Sequence, residues 1–232
     1  MNTGGNPVKT DKQTTGNPAL DALIGGGLEA RTITQLYGEP ASGKSTIAMI
    51  AAVATLRAGK SVVYIDTEGF SIERFRQIAG ADTESVADRL FLFEPFDFEH
   101  QNQVIAECEK VLKAHPCGLL VIDSATALYR TDLEKGRDAL QLLTKQMIHL
   151  LGHARRYNIP VILTNQVYMD TGRNICCGLG GYALEHISKV IIRLEKGDAP
   201  QERRARLIKH RSRPEGQSFA YTITEGGIDA KP

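Results

Sequence analysis

Gly38, Glu39, Pro40, Ala41, Ser42, Gly43, Lys44 and Ser45 follow the spacing G-x-x-x-x-G-K-[ST], the arrangement with which a backbone wraps a phosphate chain. Glycines let consecutive N–H groups turn inward around phosphate oxygens, and a helix opening directly behind them adds positive potential. In that setting the Lys44 ammonium reaches the β- and γ-phosphates and the Ser45 hydroxyl ligates Mg²⁺. Thr46, next along, completes the set of residues expected at the nucleotide. Average residue usage gives a chance match in about one chain in a hundred of this length, so a plain glycine turn is the weaker reading. The expected ligands are ATP and Mg²⁺.

Two carboxylates fit around such a loop. LLVID, at 119–123, is an apolar run ending in Asp123, which can hold the shell of a magnesium ion. Such a run is common in any parallel sheet; placed after a phosphate-binding loop it reads as the acidic metal strand. Glu68 ends the VVYID run, where open α/β sheets put their ligands. It could orient water for in-line attack on a γ-phosphate, and spacing alone does not separate that role from a solvated loop glutamate.

Elements capable of positioning these groups alternate along the chain. TITQLY precedes a helix from Lys44, SVVYID one at 71–78, LFLF one at 99–114, and LLVID one at 138–157 that leads to VILT. Pro116 and Gly118 supply stop signals before LLVID. This repetition predicts a mostly parallel twisted sheet flanked by helices. Beyond Gly180, the runs KVIIRL, RRARLIKH and SFAYTIT are expected to extend it as antiparallel strands. Residues 1–16 are polar and Gly-rich and read as a flexible tail, leaving 17–232 as one α/β domain.

With 232 residues, 42% hydrophobic and 24% charged, the composition is that of a globular domain with one sizeable core. The longest apolar run is cut by Arg57 and Lys60, too short for a bilayer, and the first residues lack a secretory apolar segment; a cytoplasmic protein without membrane contact is expected. Cys108, Cys117, Cys176 and Cys177 form no CxxC pair and read as free thiols. His149 and His153 share a helix face, but with Leu150 where a zinc protease has its glutamate they read as ordinary helix residues. Net charge is only +1, yet Arg203, Arg204, Arg206, Lys209, Arg211 and Arg213 crowd one stretch, which can act as a local electrostatic footprint.

The segments TTGNPALDALIGGGLEARTITQLYGEPASGKST, YIDTEGFSIERF, LLVIDSATALYR and VILTNQV occur in the order seen in the RecA superfamily and resemble its archaeal RadA and RadB branches. The closing KHRSRPEG and TITEGGI are similar to the RadB branch. The resemblance implies a RecA-like P-loop ATPase core with antiparallel C-terminal strands. It makes Glu68 the catalytic carboxylate, Asp123 the Walker B residue, Arg74 a platform for adenine and Gln166 the switch that senses the γ-phosphate. It also implies two loops for single-stranded DNA, at 131–137 and 168–181. Arg130, Arg137 and Arg173 would meet phosphates there and Tyr168 would stack. Lys209 and Arg211, sharing a face if RRARLIKH is a strand, stand as DNA contacts, as a cationic pair reaching a neighbouring subunit's nucleotide, or as charges guarding a sheet edge.

Three departures qualify the resemblance. The second loop is Gly-rich, carries adjacent cysteines and is shorter than a strand-exchange loop. No counterpart of the RadA N-terminal domain precedes the core. No Phe-x-x-Ala assembly segment precedes it either, since the first phenylalanine is Phe70. The combination implies an accessory paralogue that binds ATP, DNA and a RadA-type recombinase, with a homodimer left open. A strand-exchange recombinase is one alternative. A KaiC-like signalling ATPase shares the Gly25-Gly26-Gly27 approach to the loop, but would be expected to show paired glutamates in place of Asp66-Thr67-Glu68 and no TNQV. A small-molecule kinase would need a lid and an acceptor pattern that the sequence does not show.

Overall fold

The computed structural model describes residues 12–170, 175–197 and 199–231. In chain order they form β1 (Lys12–Gln13), α1 (Pro18–Leu23), β2 (Leu28–Glu29), β3 (Ile33–Gly38), α2 (Lys44–Arg57), β4 (Ser61–Asp66), α3 (Ile72–Ala79), α4 (Thr83–Ala87) and β5 (Leu90–Phe93). There follow α5 (Phe98–Glu107), α6 (Glu109–Ala114), β6 (Cys117–Asp123), α7 (Ala127–Thr131), α8 (Arg137–Tyr157) and β7 (Val161–Asn165). The chain then adds β8 (Val167–Asp170), β9 (Ile175–Gly178), α9 (Gly181–Ile187), β10 (Val190–Lys196), β11 (Glu202–Lys209), β12 (Ser218–Thr224) and β13 (Gly227–Ala230).

Nine strands make one sheet in the order β13-β12-β11-β10-β3-β7-β6-β4-β5. From β10 to β5 all pairings are parallel, and β11 to β13 are antiparallel. Side chains of the inner strands alternate between two apolar layers, as the pleat requires. Val62, Tyr64, Leu119 and Val121 join one layer with α1, α2 and α3. Val63, Ile65, Leu120 and Ile122 join the other with α5 and α8. Helix α2 is buried nearly all round, from Ile47 to Leu56, because the sheet lies on one side and α3 and β13 pack on others. No described helix is long and apolar enough to cross a membrane.

Three expectations need correction. The tail was drawn to residue 16, yet Lys12 and Gln13 already pair with β2, and Asp21 accepts from the Thr15 N–H and from the Thr14 and Thr15 hydroxyls; residues 1–11 lie outside the described part. KVIIRL is not antiparallel to the core but runs parallel to β3 as β10, because the crossover through α9 returns it in the same direction; β13 was not foreseen. The single helix expected at 99–114 breaks at Cys108 into α5 and α6. Within the second loop, the described residues of β8 and β9 pair antiparallel.

Candidate nucleotide and DNA site

Strands β3, β4, β6 and β7 end side by side, and every residue singled out for nucleotide chemistry except Arg74 of α3 sits at or just beyond those ends. The turn after β3 needs unusual backbone angles: Gly38, Ala41 and Gly43 all have positive φ, at 157°, 62° and 100°. A Cβ at Gly38 would stand 2.1 Å from the Leu194 carbonyl oxygen, so β10 packs against the turn too closely for any side chain. The loop is braced from the C-terminal strands as well. Tyr221 of β12, fully buried, donates its hydroxyl to the Ser42 carbonyl at 2.6 Å. Arg203 of β11 donates Nε to the Ala41 carbonyl at 2.9 Å.

Lys44 opens α2 and turns its ammonium back over the loop, donating to the carbonyls of Gly38 (2.8 Å) and Glu39 (3.0 Å). Burial lowers its pKa, and Glu68, Asp123 and Glu39 pull it back up, so the cation is set among carboxylates. Glu39 is half-buried and Pro40 exposed, Ser45 exposed and Thr46 half-buried. The Ser42 hydroxyl is buried with no partner.

Asp123 is buried, 5% exposed, and burial raises its pKa against the pull of three hydroxyls. Those belong to Thr164, Ser45 and Tyr64, the last at 2.9 Å. A carboxylate collecting hydroxyl donors from β7, α2 and β4 is the donor set a hard cation needs, and with Ser45 beside it the residues fit Mg²⁺. Asp66, paired in register with Asp123, accepts from the Gly69 N–H at 2.6 Å. Burial, outweighing that hydrogen bond, lifts its pKa to about 6.

Glu68 is exposed at the mouth, and Gln166, just beyond β7, donates Nε2 to its Oε1 at 2.8 Å. The amide oxygen of Gln166, Oε1, is buried and unpartnered. Arg74 lies in α3 with its guanidinium edge bound to the carbonyls of Thr224 (2.7 Å), Glu225 (2.9 Å) and Gly227 (3.2 Å). That clamp ties α3 to the β12–β13 turn and uses the edge of the ion, whereas stacking uses its face.

The expected DNA residues are more scattered. Arg130 lies in the last turn of α7 and Arg137 begins α8, both exposed and without an ion pair among the described residues. The first loop between them is filled by a short 3₁₀ turn at Leu133–Lys135. Tyr168 of β8 is 46% exposed, and Arg173 lies outside the described residues. Lys209 and Arg211 do not share a strand face: β11 ends at Lys209, and Arg211 follows in a bend. Lys209 donates Nζ to the Glu185 carbonyl at 2.5 Å, and Arg206 meets Glu195 at 3.6 Å. With Arg203 on the phosphate loop, half of the cationic stretch is engaged within the chain, which leaves less of it for a footprint.

Sequence reasoning missed Tyr221, Arg203, Thr164, Tyr64 and Asp66. Thr164 and Asp66 carry a readable signal, a polar residue ending an apolar parallel strand beside the Asp123 strand; the others are brought in by topology.

The family model described as Rad51 matches residues 9–231. The chain is 65% identical over 223 residues to "DNA repair and recombination protein RadB" of Methanoculleus marisnigri, covering 95% of this chain and 99% of that one. It is 43% identical over 218 residues to the protein of that name from Archaeoglobus fulgidus, covering 93% and 96%. A solved structure titled "Crystal structure of the RadB recombinase" superposes with a TM-score of 0.81 at 41% identity, over 93% of this chain and 98% of that one.

Proposed function

Because the chain belongs to the Rad51 family, we propose that it binds ATP with Mg²⁺ and DNA, single-stranded by preference, as an accessory protein of homologous recombination and DNA repair. In this reading it modulates a RadA-type recombinase and hydrolyses ATP weakly. The carrying observation is the convergence at four adjacent strand ends of Lys44, the Ser45–Asp123 pair and the hydrogen-bonded Glu68 and Gln166.

Each residue has a task that follows from its setting. The loop N–H groups and the unpartnered Ser42 hydroxyl are donors for phosphate oxygens, and Lys44 exchanges its two carbonyls for them without moving far. Ser45 and Asp123 are the residues that would hold magnesium, which when bound would offset the charge of the phosphates. Glu68 accepts a proton from, or orients, a water at the mouth. Gln166 joins Glu68 to β8, so a change at the carboxylate is felt at the first strand of the second DNA loop. Arg130, Arg137, Tyr168 and Arg211 are the exposed groups placed to meet a nucleic acid; Lys209 would first have to leave Glu185.

The test is binding of a labelled ATP analogue and of a labelled single-stranded oligonucleotide, with and without ATP, in wild type and Lys44→Ala. Removing the ammonium should weaken nucleotide binding by about 100-fold, the scale seen when one fixed donor is lost from a dry charged site. The ATP response of DNA binding should vanish with it. A folded Lys44→Ala protein with wild-type ATP affinity would overturn the reading.

A further inference from the structure

Away from the strand ends, α8 and α9 enclose a shallow groove of about 370 Å³ whose exposed lining is almost all carbon. Its floor is Leu140, Thr144 and Ile148 of α8 with Ala183 of α9, and its charged lining consists of Arg137 and Lys145. On α8 these positions follow each other at three- and four-residue steps, so they form one stripe down the helix. From Arg137 to Ile148 the stripe runs eleven residues, roughly 16 Å at the helical rise.

Neither apolar end of the groove is covered. Ile148 is 59% exposed and Leu140 38%, on a helix whose opposite face, through Leu143, Met147 and Leu150, is fully buried. Tyr182, 79% exposed, stands next to Ala183. Such an apolar stripe costs solubility unless something uses it. Arg137 and Lys145 make no ion pair with a described residue, and the nearest acid on α9, Glu185, lines a different cleft on the far side of that helix. The groove is thus an apolar trough about three turns long with two unpaired cations on it.

We propose that this groove is the docking site for an amphipathic helix of a partner protein, one that lays apolar residues spaced i, i+4 and i+7 onto Leu140, Ile148 and Ala183. Acidic residues flanking that stripe meet Arg137 and Lys145. Charge complementarity selects this occupant: a basic helix would set like charges against both cations, and a neutral one would leave them unmatched. The surface is separate from the nucleotide site and shares only Arg137 with the proposed nucleic-acid contacts, so the proposal stands or falls apart from the ATP reading.

The probe is a synthetic three-turn helical peptide with leucines at i, i+4 and i+7 and glutamates on its flanks, titrated against the full chain by fluorescence anisotropy. A lysine-flanked peptide with the same leucines is the control. Wild type should bind the acidic peptide at least about tenfold more tightly than the basic one, a preference worth about 1.4 kcal/mol. Ile148→Asp should abolish binding while leaving the melting temperature in place, since the side chain is exposed. The double reversal Arg137→Glu, Lys145→Glu should invert the preference toward the basic peptide. Equal binding of both peptides, or of Ile148→Asp and wild type, overturns the proposal. So does a concentration-dependent dimer in sedimentation that Ile148→Asp abolishes, which would assign the groove to a second copy. Loss of oligonucleotide binding in the double reversal with peptide preference unchanged would assign the cations to nucleic acid.

Discussion

Glu68 and Gln166 sit 98 residues apart in the chain and 2.8 Å apart at the site, so the group proposed to act on water is already in contact with the group proposed to sense phosphate. Replacing the carboxylate by its amide keeps size and polarity but removes the base. Glu68→Gln should therefore bind ATP as wild type does and hydrolyse it about 100-fold more slowly, measured as turnover beside equilibrium binding; equal turnover would remove Glu68 from the chemistry. Asp66 carries a second consequence. Its folded pKa of about 6 lies above the 3.8 of an ordinary aspartate, so between those values the folded chain holds a proton that the unfolded chain has lost. Stability consequently falls as pH rises from about 4 to about 6 and levels off above. Asp66→Asn should flatten that segment in the difference between the two melting curves taken across this range, and an unchanged difference would contradict the assignment. Lys44, Ser45 and Asp123 were legible because each belongs to a local pattern, a loop spacing or a carboxylate ending an apolar run, whereas Glu68 was singled out by the family resemblance, since its spacing fits a solvated loop glutamate equally well. Tyr221 and Arg203 were not, because nothing in SFAYTIT or RRARLIKH says that the strands come to lie behind residue 42.

At the level of elements, the phosphate loop is held by strands more than by its own helix. Glycine permits the turn, but β11 and β12 fix it, through Arg203 and through Tyr221 on the Ser42 carbonyl. Tyr221→Phe keeps the packing and strands a buried carbonyl, which costs about 1–3 kcal/mol. Denaturant unfolding should show that loss, with nucleotide affinity falling severalfold in the same protein; unaltered stability would mean that water replaces the hydroxyl. Strand and helix positions were largely readable from period and stop signals. Direction was not, since an apolar run such as KVIIRL has the same pattern whichever way it pairs, and α9, only seven residues long, gave no helical period strong enough to announce a crossover. The pairing of Tyr168 with Cys177 in the second loop was not read from a segment rich in glycine with adjacent cysteines. Likewise Lys209 and Arg211 were assigned one face on the premise of a strand that stops at the first of them.

Across the whole molecule, the two apolar layers have unequal roles. One is built around α2 and secures the nucleotide loop; the other is built around α8 and leaves that helix an open stripe above the core. The overall class, a mostly parallel sheet between helices, followed from the alternation of runs, but the strand order did not, because β3 is flanked by β7 and β10, both far later in the chain. That order reaches back into biosynthesis. Tyr221 is made 179 residues after Ser42, so a ribosome delivers the phosphate-binding motif early and its buttress among the last strands. A growing chain thus carries every motif residue of the loop while the loop is still unbraced. A message cut short after α9 would therefore yield Lys44, Glu68, Asp123 and Gln166 without Arg203 and Tyr221, the two side chains that hold the Ala41 and Ser42 carbonyls.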